Sequence, residues 1–273
     1  MGNRRTTKAV ILARGLGTRM RAADATASLD ADAAAVADSG LKAMIPVGRP
    51  FLDYVLSALA DAGFTDACLV IGPEHDAVRT YYEKAARPQR IRVSFAIQEK
   101  PLGTADAVLA AEKFAAGGSF VVLNSDNYYP SSALAGLHRR TAPAMVAFSR
   151  DALTARGNAR AGMLGRFGAV EADERRMLRS MTADPARAAA STGGRVYSSM
   201  NCWLFSPGIF DACRSVPVSA RGEKELTQAV QYAIARLGME LDVILSEEPV
   251  LDLSSRADIP RVARFLEGIE ARP

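Results

Sequence analysis

Apolar runs of about five residues alternate along the first half of this chain with longer segments whose apolar residues recur at helical spacing. Few patterns restrict a fold more. A short, continuous apolar run suits a strand buried on both faces, and the helix after it provides the crossover that returns the next strand parallel to the first. KAVIL (8–12), ACLVI (67–71), VSFAI (93–97), SFVVL (119–123) and AMVAF (144–148) are the predicted strands. Between them, 51–62 sets Phe51, Leu52, Val55, Leu56 and Leu59 on one helical stripe and stops at Gly63, where a left-handed cap fits. Segments 76–86, 104–115 and 131–140 are weaker helices of crossover length. The fold expected is α/β, a doubly wound and mostly parallel sheet.

The rhythm changes from residue 160. MLGRFGAVEAD, RRMLRSM and RVYSSMNCWLF read as strands following one another without a full helix between them, which predicts a smaller mixed or antiparallel lobe. Then 224–237 carries Leu226, Val230, Ile234 and Leu237 on one stripe closed by Gly238, ELDVIL (240–245) returns to a strand, and 258–269 is a last helix. The expectation is one domain over 1–273, with a core of about 1–150 and 215–273 and a lobe of about 151–214. Residues 23–40, rich in alanine and aspartate, read either as a short helix or as a mobile lid.

A composition of 49% hydrophobic and 23% charged residues is that of an ordinary globular chain and excludes fibrous or disordered classes. Cys68, Cys202 and Cys213 are odd in number and show no CxxC pairing, so thiols are expected rather than disulfides or a zinc cluster. The apolar run in MGNRRTTKAVILARG is broken by Arg14 and too short for a signal segment, which predicts a cytoplasmic protein with no membrane partner. A net charge of +4 suits phosphorylated small molecules. The basic clusters at 4–5, 19–21, 139–140 and 175–179 lack interleaved aromatics, so nucleic acid is not an expected partner. A homo-oligomer stays open.

Directly after the first predicted strand comes LARGLGTRMR (12–21). Gly15 and Gly17 let backbone N–H groups approach phosphate oxygens, and Arg19 and Arg21 add charge-assisted donors. The segment has no GxxxxGK[ST], and Met20 stands where a dinucleotide fingerprint needs its third glycine. Alone, it is equally compatible with a tight turn.

It does not stand alone. LARGLGTRMR, Lys42 in LKAMIPV (41–47), PLGTADAV (101–108) and NSDN (124–127) occur in an order that resembles the sugar-1-phosphate nucleotidyltransferases, which make UDP-, dTDP-, GDP- and ADP-sugars. The resemblance implies a GT-A-like Rossmann core and an in-line attack of a sugar phosphate on the α-phosphorus of a nucleoside triphosphate. It implies that Leu12, Ala13, Gly15, Leu16, Gly17, Thr18 and Arg19 hold the nucleotide and its phosphates. Arg19, Lys42 and Asp126 then stand at the reaction centre. By the same resemblance Gln98 reads the base, Pro101, Gly103 and Thr104 line its pocket, and Ser125 touches the nucleotide. Asp126 and Asp252, the latter in VLDLSSRADI, would hold Mg2+. Asn201 in SSMNCWLFSPGIF and Glu223 in RGEKELTQAV would face the sugar hydroxyls.

Three departures from the family pattern stand out. Arg14 replaces the small residue usual before the first glycine, and the spacer from that loop to Lys42 is long. In TADPA (182–186), Asp184 occupies the place of a lysine that holds the sugar phosphate, so Arg187, Arg195 and Arg179 become the candidate compensating cations. The acceptor is accordingly a sugar 1-phosphate or a cyclitol or pseudo-sugar phosphate. Two rival readings are a GT-A glycosyltransferase using a preformed nucleotide-sugar, which would have no use for the glycine loop, and a catalytically silent nucleotide-binding homologue, which Asp184 favours.

Overall fold

The structure, a computed structural model, describes residues 5–24, 27, 29–165 and 167–273. Arg4 of the basic pair, residues 25, 26 and 28 of the 23–40 segment, and Arg166 within the predicted strand MLGRFGAVEAD lie outside the described residues. The strands are β1 (Lys8–Leu12), β2 (Asp66–Ile71), β3 (Arg92–Ile97), β4 (Phe120–Asn124), β5 (Asn127–Tyr128), β6 (Ala144–Ser149), β7 (Ala169–Ala172), β8 (Leu178–Thr182), β9 (Tyr197–Phe205), β10 (Asp242–Ser246) and β11 (Leu251–Asp252). The five strands predicted in the first half coincide with β1, β2, β3, β4 and β6 to within one residue at each end.

The main sheet runs β10-β6-β9-β4-β1-β2-β3, with the β7–β8 hairpin attached through β9. β1 is parallel to β2 and β4, β2 to β3, and β6 to β10. Alternation along the strands feeds two cores. Ala9, Ile11, Val121 and Leu123 face the helix Phe51–Asp61, while Val10, Leu12 and Val122 face the helices Thr104–Ala110, Ile209–Ser215 and Leu226–Leu237. Both faces are covered, which is why these strands read as unbroken apolar runs.

Two expectations need correction. β9 lies in the main sheet, antiparallel to both β4 and β6, so the core does not stop near residue 150 and the expected lobe boundary at 214 cuts past a central strand. A helix, Pro185–Ser191, separates β8 from β9 where none was expected. In the 23–40 segment the short-helix alternative is the one found: Ala31–Ser39 is capped by Asp30, which accepts from the Ala33 N–H at 2.7 Å, and ends at Gly40 with φ +77°. Among the described residues no helix is long and apolar enough to cross a membrane. Cys68, Cys202 and Cys213 are free thiols and buried.

Candidate active site

A cleft of about 280 Å³ opens over the C-terminal ends of β1 and β4, where open α/β sheets gather their ligands. Its floor is the loop after β1, and the two glycines of that loop do different work. Gly15 lines the cleft, and a Cβ there would meet nothing within 4 Å, so its backbone faces open space in which an anion can approach. Gly17 has φ +62° and packs on Gly40, whose carbonyl oxygen would lie 2.3 Å from any Cβ. It fixes the loop rather than facing the ligand. Arg21 donates to Ser39 O, and Arg256 bonds Met20 O and Asp38, tying the short helix Thr18–Arg21 to Ala31–Ser39.

At one end stand Gln98, Pro101, Gly103 and Thr104. Gly103 has φ +106° and lies so close to Lys224 that a Cβ would fall 2.4 Å from its carbonyl oxygen. The strap continues as Lys224 N–H donates to Leu102 O at 2.7 Å and Ala105 N–H to Lys224 O at 2.9 Å. Thr104 lines the cleft, but its hydroxyl accepts from the Leu226 N–H at 2.8 Å, an orphan donor at the start of Leu226–Leu237. This strap is what brings Glu223, three residues ahead of that helix, to the cleft wall.

In the middle, Lys42 forms an ion pair with Asp126. Asp252 comes from far along the chain, yet β11 pairs with β5 so that Asp252 lies opposite Asn127, and Leu253 N–H donates to Asp126 O at 2.8 Å. Asn158 clamps the Asp252 backbone from both sides: Asp252 N–H donates to its Oδ1 at 2.7 Å and its Nδ2 donates to Asp252 O at 2.6 Å. The carboxylate is 6% exposed and its Oδ1 is buried without a partner. Burial first, and the Asp126 charge second, push the Asp252 carboxyl from 3.8 up to about 6, against relief from Ser254 and Lys42.

Towards the other end, Asn201 lines the cleft in a bulge of β9. Its φ of +54° is uncommon for a non-glycine residue, although asparagine tolerates it better than most. Its Nδ2 donates to Asn124 Oδ1 at 3.4 Å and its Oδ1 accepts from Trp203 Nε1 at 3.2 Å. Strain of this kind is found where surrounding structure overdetermines a functional side chain.

The cleft therefore brings together Leu12, Ala13, Gly15 and Leu16 of the loop, Lys42, Gln98, Pro101, Gly103, Thr104, Ser125, Asp126, Asn201 and Glu223. Asp252 backs Asp126 without lining the cleft. Thr18 and Arg19 are exposed outside the lining, and Arg19 has no hydrogen bond or ion pair among the described residues. The expected compensating cations do not gather: Arg187 pairs with Glu171, Arg195 with Glu247 and Arg179 with Asp173, and none lines the cleft. Asp184 does not line it either. Its carboxylate accepts from the N–H groups of Ala186 and Arg187 and caps Pro185–Ser191, so no charge reversal lies in the cleft. An aspartate directly before a proline and a helical run is a helix-start signature that would have revealed this role. Asn124, Arg14, Ala107, Gly40 and Leu41 also line the cleft, and Asn158 supports it. No spacing in the sequence marks Asn158.

A sequence profile of the nucleotidyl transferase family matches residues 8–265. The glucose-1-phosphate thymidylyltransferase of Streptomyces griseus is 29% identical over 231 residues, covering 83% of this chain and 57% of its own length. That of Streptomyces antibioticus is 28% identical over 267 residues, covering 97% of this chain and 68% of its own. The chain thus spans little more than half the length of the first relative. Among solved structures, a UDP-glucose pyrophosphorylase complexed with UDP-glucose superposes with a TM-score of 0.72 at 15% identity, over 97% of this chain and 99% of that one. At that identity the likeness speaks for the Rossmann-like fold alone.

Proposed function

Because the chain belongs to the nucleotidyl transferase family, we propose that this cleft joins the phosphate of a sugar 1-phosphate, or of a cyclitol or similar sugar-like phosphate, to the α-phosphorus of a nucleoside triphosphate. An acceptor phosphate oxygen forms the new bond to the α-phosphorus, the bond from that phosphorus to the bridging oxygen breaks, and the electron pair leaves with pyrophosphate. The step needs alignment and charge neutralisation rather than a covalent nucleophile or a proton relay.

The observation that carries this reading is the meeting of Lys42, Asp126 and Asp252 beside the open backbone of Gly15. In this proposal the 13–16 backbone cradles the phosphates and Lys42 offers a compact charge at the reacting centre. Arg19, exposed and free of partners among the described residues, is available to the outer phosphates once nucleotide is bound. Two carboxylates, one with a buried and unpartnered oxygen, fit a hard divalent cation that completes its shell with water and substrate oxygens. When bound, magnesium supplies the charge that neutralises the phosphates. Asn201 and Glu223 orient acceptor hydroxyls. With Asp184 assigned to a helix cap, the silent-homologue reading loses its support. A cytoplasmic setting, where nucleoside triphosphates are made, belongs to the same proposal.

Pyrophosphate release, measured over a panel of sugar 1-phosphates and cyclitol phosphates with each nucleoside triphosphate and magnesium, tests it. Release is expected only when both substrates are present. Silence across the whole panel refutes the assignment.

A further inference from the structure

Resting on the transferase reading of the cleft, we infer that Arg256 is a positioning residue for the reaction: it holds the glycine loop and the segment leading to Lys42 in register with the carboxylates of Asp126 and Asp252. Arg256 stands four residues after Asp252 and does not line the cleft. Its side chain is only 12% exposed. Nε donates to Met20 O at 2.9 Å and to Ala22 O at 3.1 Å, and Nη2 pairs with Asp38. Met20 and Ala22 lie at the end of the short helix Thr18–Arg21, where carbonyls have run out of intrahelical donors, so a cation there answers both the orphan acceptors and the negative helix end. The opposite end of that helix is Gly17, the second glycine of the loop after β1.

Ala22 and Asp38 flank the long spacer that sets this chain apart from the family pattern. Arg21 donates through Nε and Nη2 to Ser39 O at 3.1 and 2.8 Å, Gly40 packs on Gly17, and Lys42 N–H donates to Gly40 O at 2.9 Å. The spacer thus works as a splint between the loop and Lys42, and Arg256 clamps both of its flanks. The anchor of the clamp is itself fixed. One carboxylate oxygen of Asp258, a buried residue, accepts from Ser254 N–H at 3.2 Å and from the N–H and hydroxyl of Ser255 at 2.8 Å each. With Asn158 on the Asp252 backbone and Leu253 N–H on Asp126 O, these bonds brace residues 252–258 against the carboxylates. The ion pair is the weaker part of the clamp, because Asp38 is 72% exposed and a pair in solvent contributes little. The carbonyl bonds are sheltered and need a planar fork. An ammonium, a single point charge, cannot span Met20 O, Ala22 O and Asp38 at once.

Steady-state kinetics with the substrate pair that releases pyrophosphate, and amide hydrogen exchange of the substrate-free chain, test the inference on the full-length protein. Arg256→Met, which keeps the apolar stem, is expected to lower kcat about 30-fold or more while changing the acceptor KM less than about threefold, since displacing reacting groups by about 1 Å costs on the order of 100-fold in rate. Exchange is expected to quicken across 15–22 and 36–42 and to stay unchanged in the strands of the main sheet. Arg256→Lys is expected to remain within about threefold of Arg256→Met, and Asp38→Asn within about threefold of wild type. A kcat within about threefold of wild type in Arg256→Met or in Arg256→Lys, or a loss matched by faster exchange throughout the chain, overturns the inference and leaves the transferase reading standing. Wild-type silence toward every substrate pair removes the transferase reading and this role with it.

Discussion

The two halves of the cleft are built by different means. The half proposed for the nucleotide comes from short contiguous segments after β1 and β3, held by glycine contacts and strand-end hydrogen bonds to a parallel sheet. The half proposed for the acceptor is assembled from single residues far apart in the chain, Asn201 from a bulge in β9 and Glu223 from a strap across Gly103, with Asp252 delivered by β11 behind the junction of the halves. A segment that carries its own geometry announces itself as a motif. A site collected from scattered strand ends does not, and nearness in sequence to an expected motif misleads there, as Arg187 and Arg195 demonstrate.

The sharpest way to break that comparison is at the junction of the halves. Lys42→Ala or Asp126→Ala should lower kcat/KM by about a thousandfold or more, with circular dichroism and thermal melting showing the fold retained. A loss below tenfold would separate this pair from the reaction centre.

Asp252→Asn should lower activity by about a hundredfold while stabilising the substrate-free fold. The sign follows from the raised carboxyl. A folded-state value near 6 against 3.8 favours the protonated form, so its contribution is fully present below pH 3.8 and is lost as pH rises through 6. At pH 7 the charged group costs up to about 3 kcal/mol. Urea denaturation from pH 4 to 7 should therefore show wild-type stability falling relative to the variant. Magnesium should restore the wild type and leave Asp252→Asn unmoved; parallel pH profiles would count against the buried charge.

Asn201 separates backbone from side chain. Asn201→Ala should raise the acceptor KM about tenfold and cost about 1 kcal/mol of stability, since alanine is disfavoured at φ +54°. Asn201→Gly should lose the same binding yet keep more of the stability. Equal acceptor kinetics in both variants and wild type would take Asn201 out of the acceptor site. The smallest effect is expected at the surface: Arg187→Ala and Arg195→Ala should change the acceptor KM less than about twofold, because each guanidinium is already paired in solvent. A tenfold rise would return them to the site.

The sheet was legible where burial dictates composition. β1, β2, β4 and β6 are short apolar runs because both their faces are covered, whereas β3 lies at the sheet edge with Arg92 and Ser94 exposed. The direction and neighbours of β9 were not legible, since an apolar strand reads the same whether it pairs parallel or antiparallel, or in a lobe or a core. Nor does a sequence reveal which anion an arginine will find. Glu171, Glu247 and Asp173 engage the basic residues that charge counting alone assigns to a phosphate. Arg14 was visible only as an irregularity; its packing on Gly72 and its pairing with Glu74 were not.

β9 also dictates an order of assembly. β6 and β10 reach the rest of the sheet only across it, so until residues 197–205 have emerged from the ribosome, β4 and β6 each present a bare apolar edge. Such long-range pairing is slow and leaves nascent chains prone to sticking to one another. Fragments ending before residue 197 should for that reason collect in inclusion bodies, and low-temperature or chaperone-rich expression should favour the full chain.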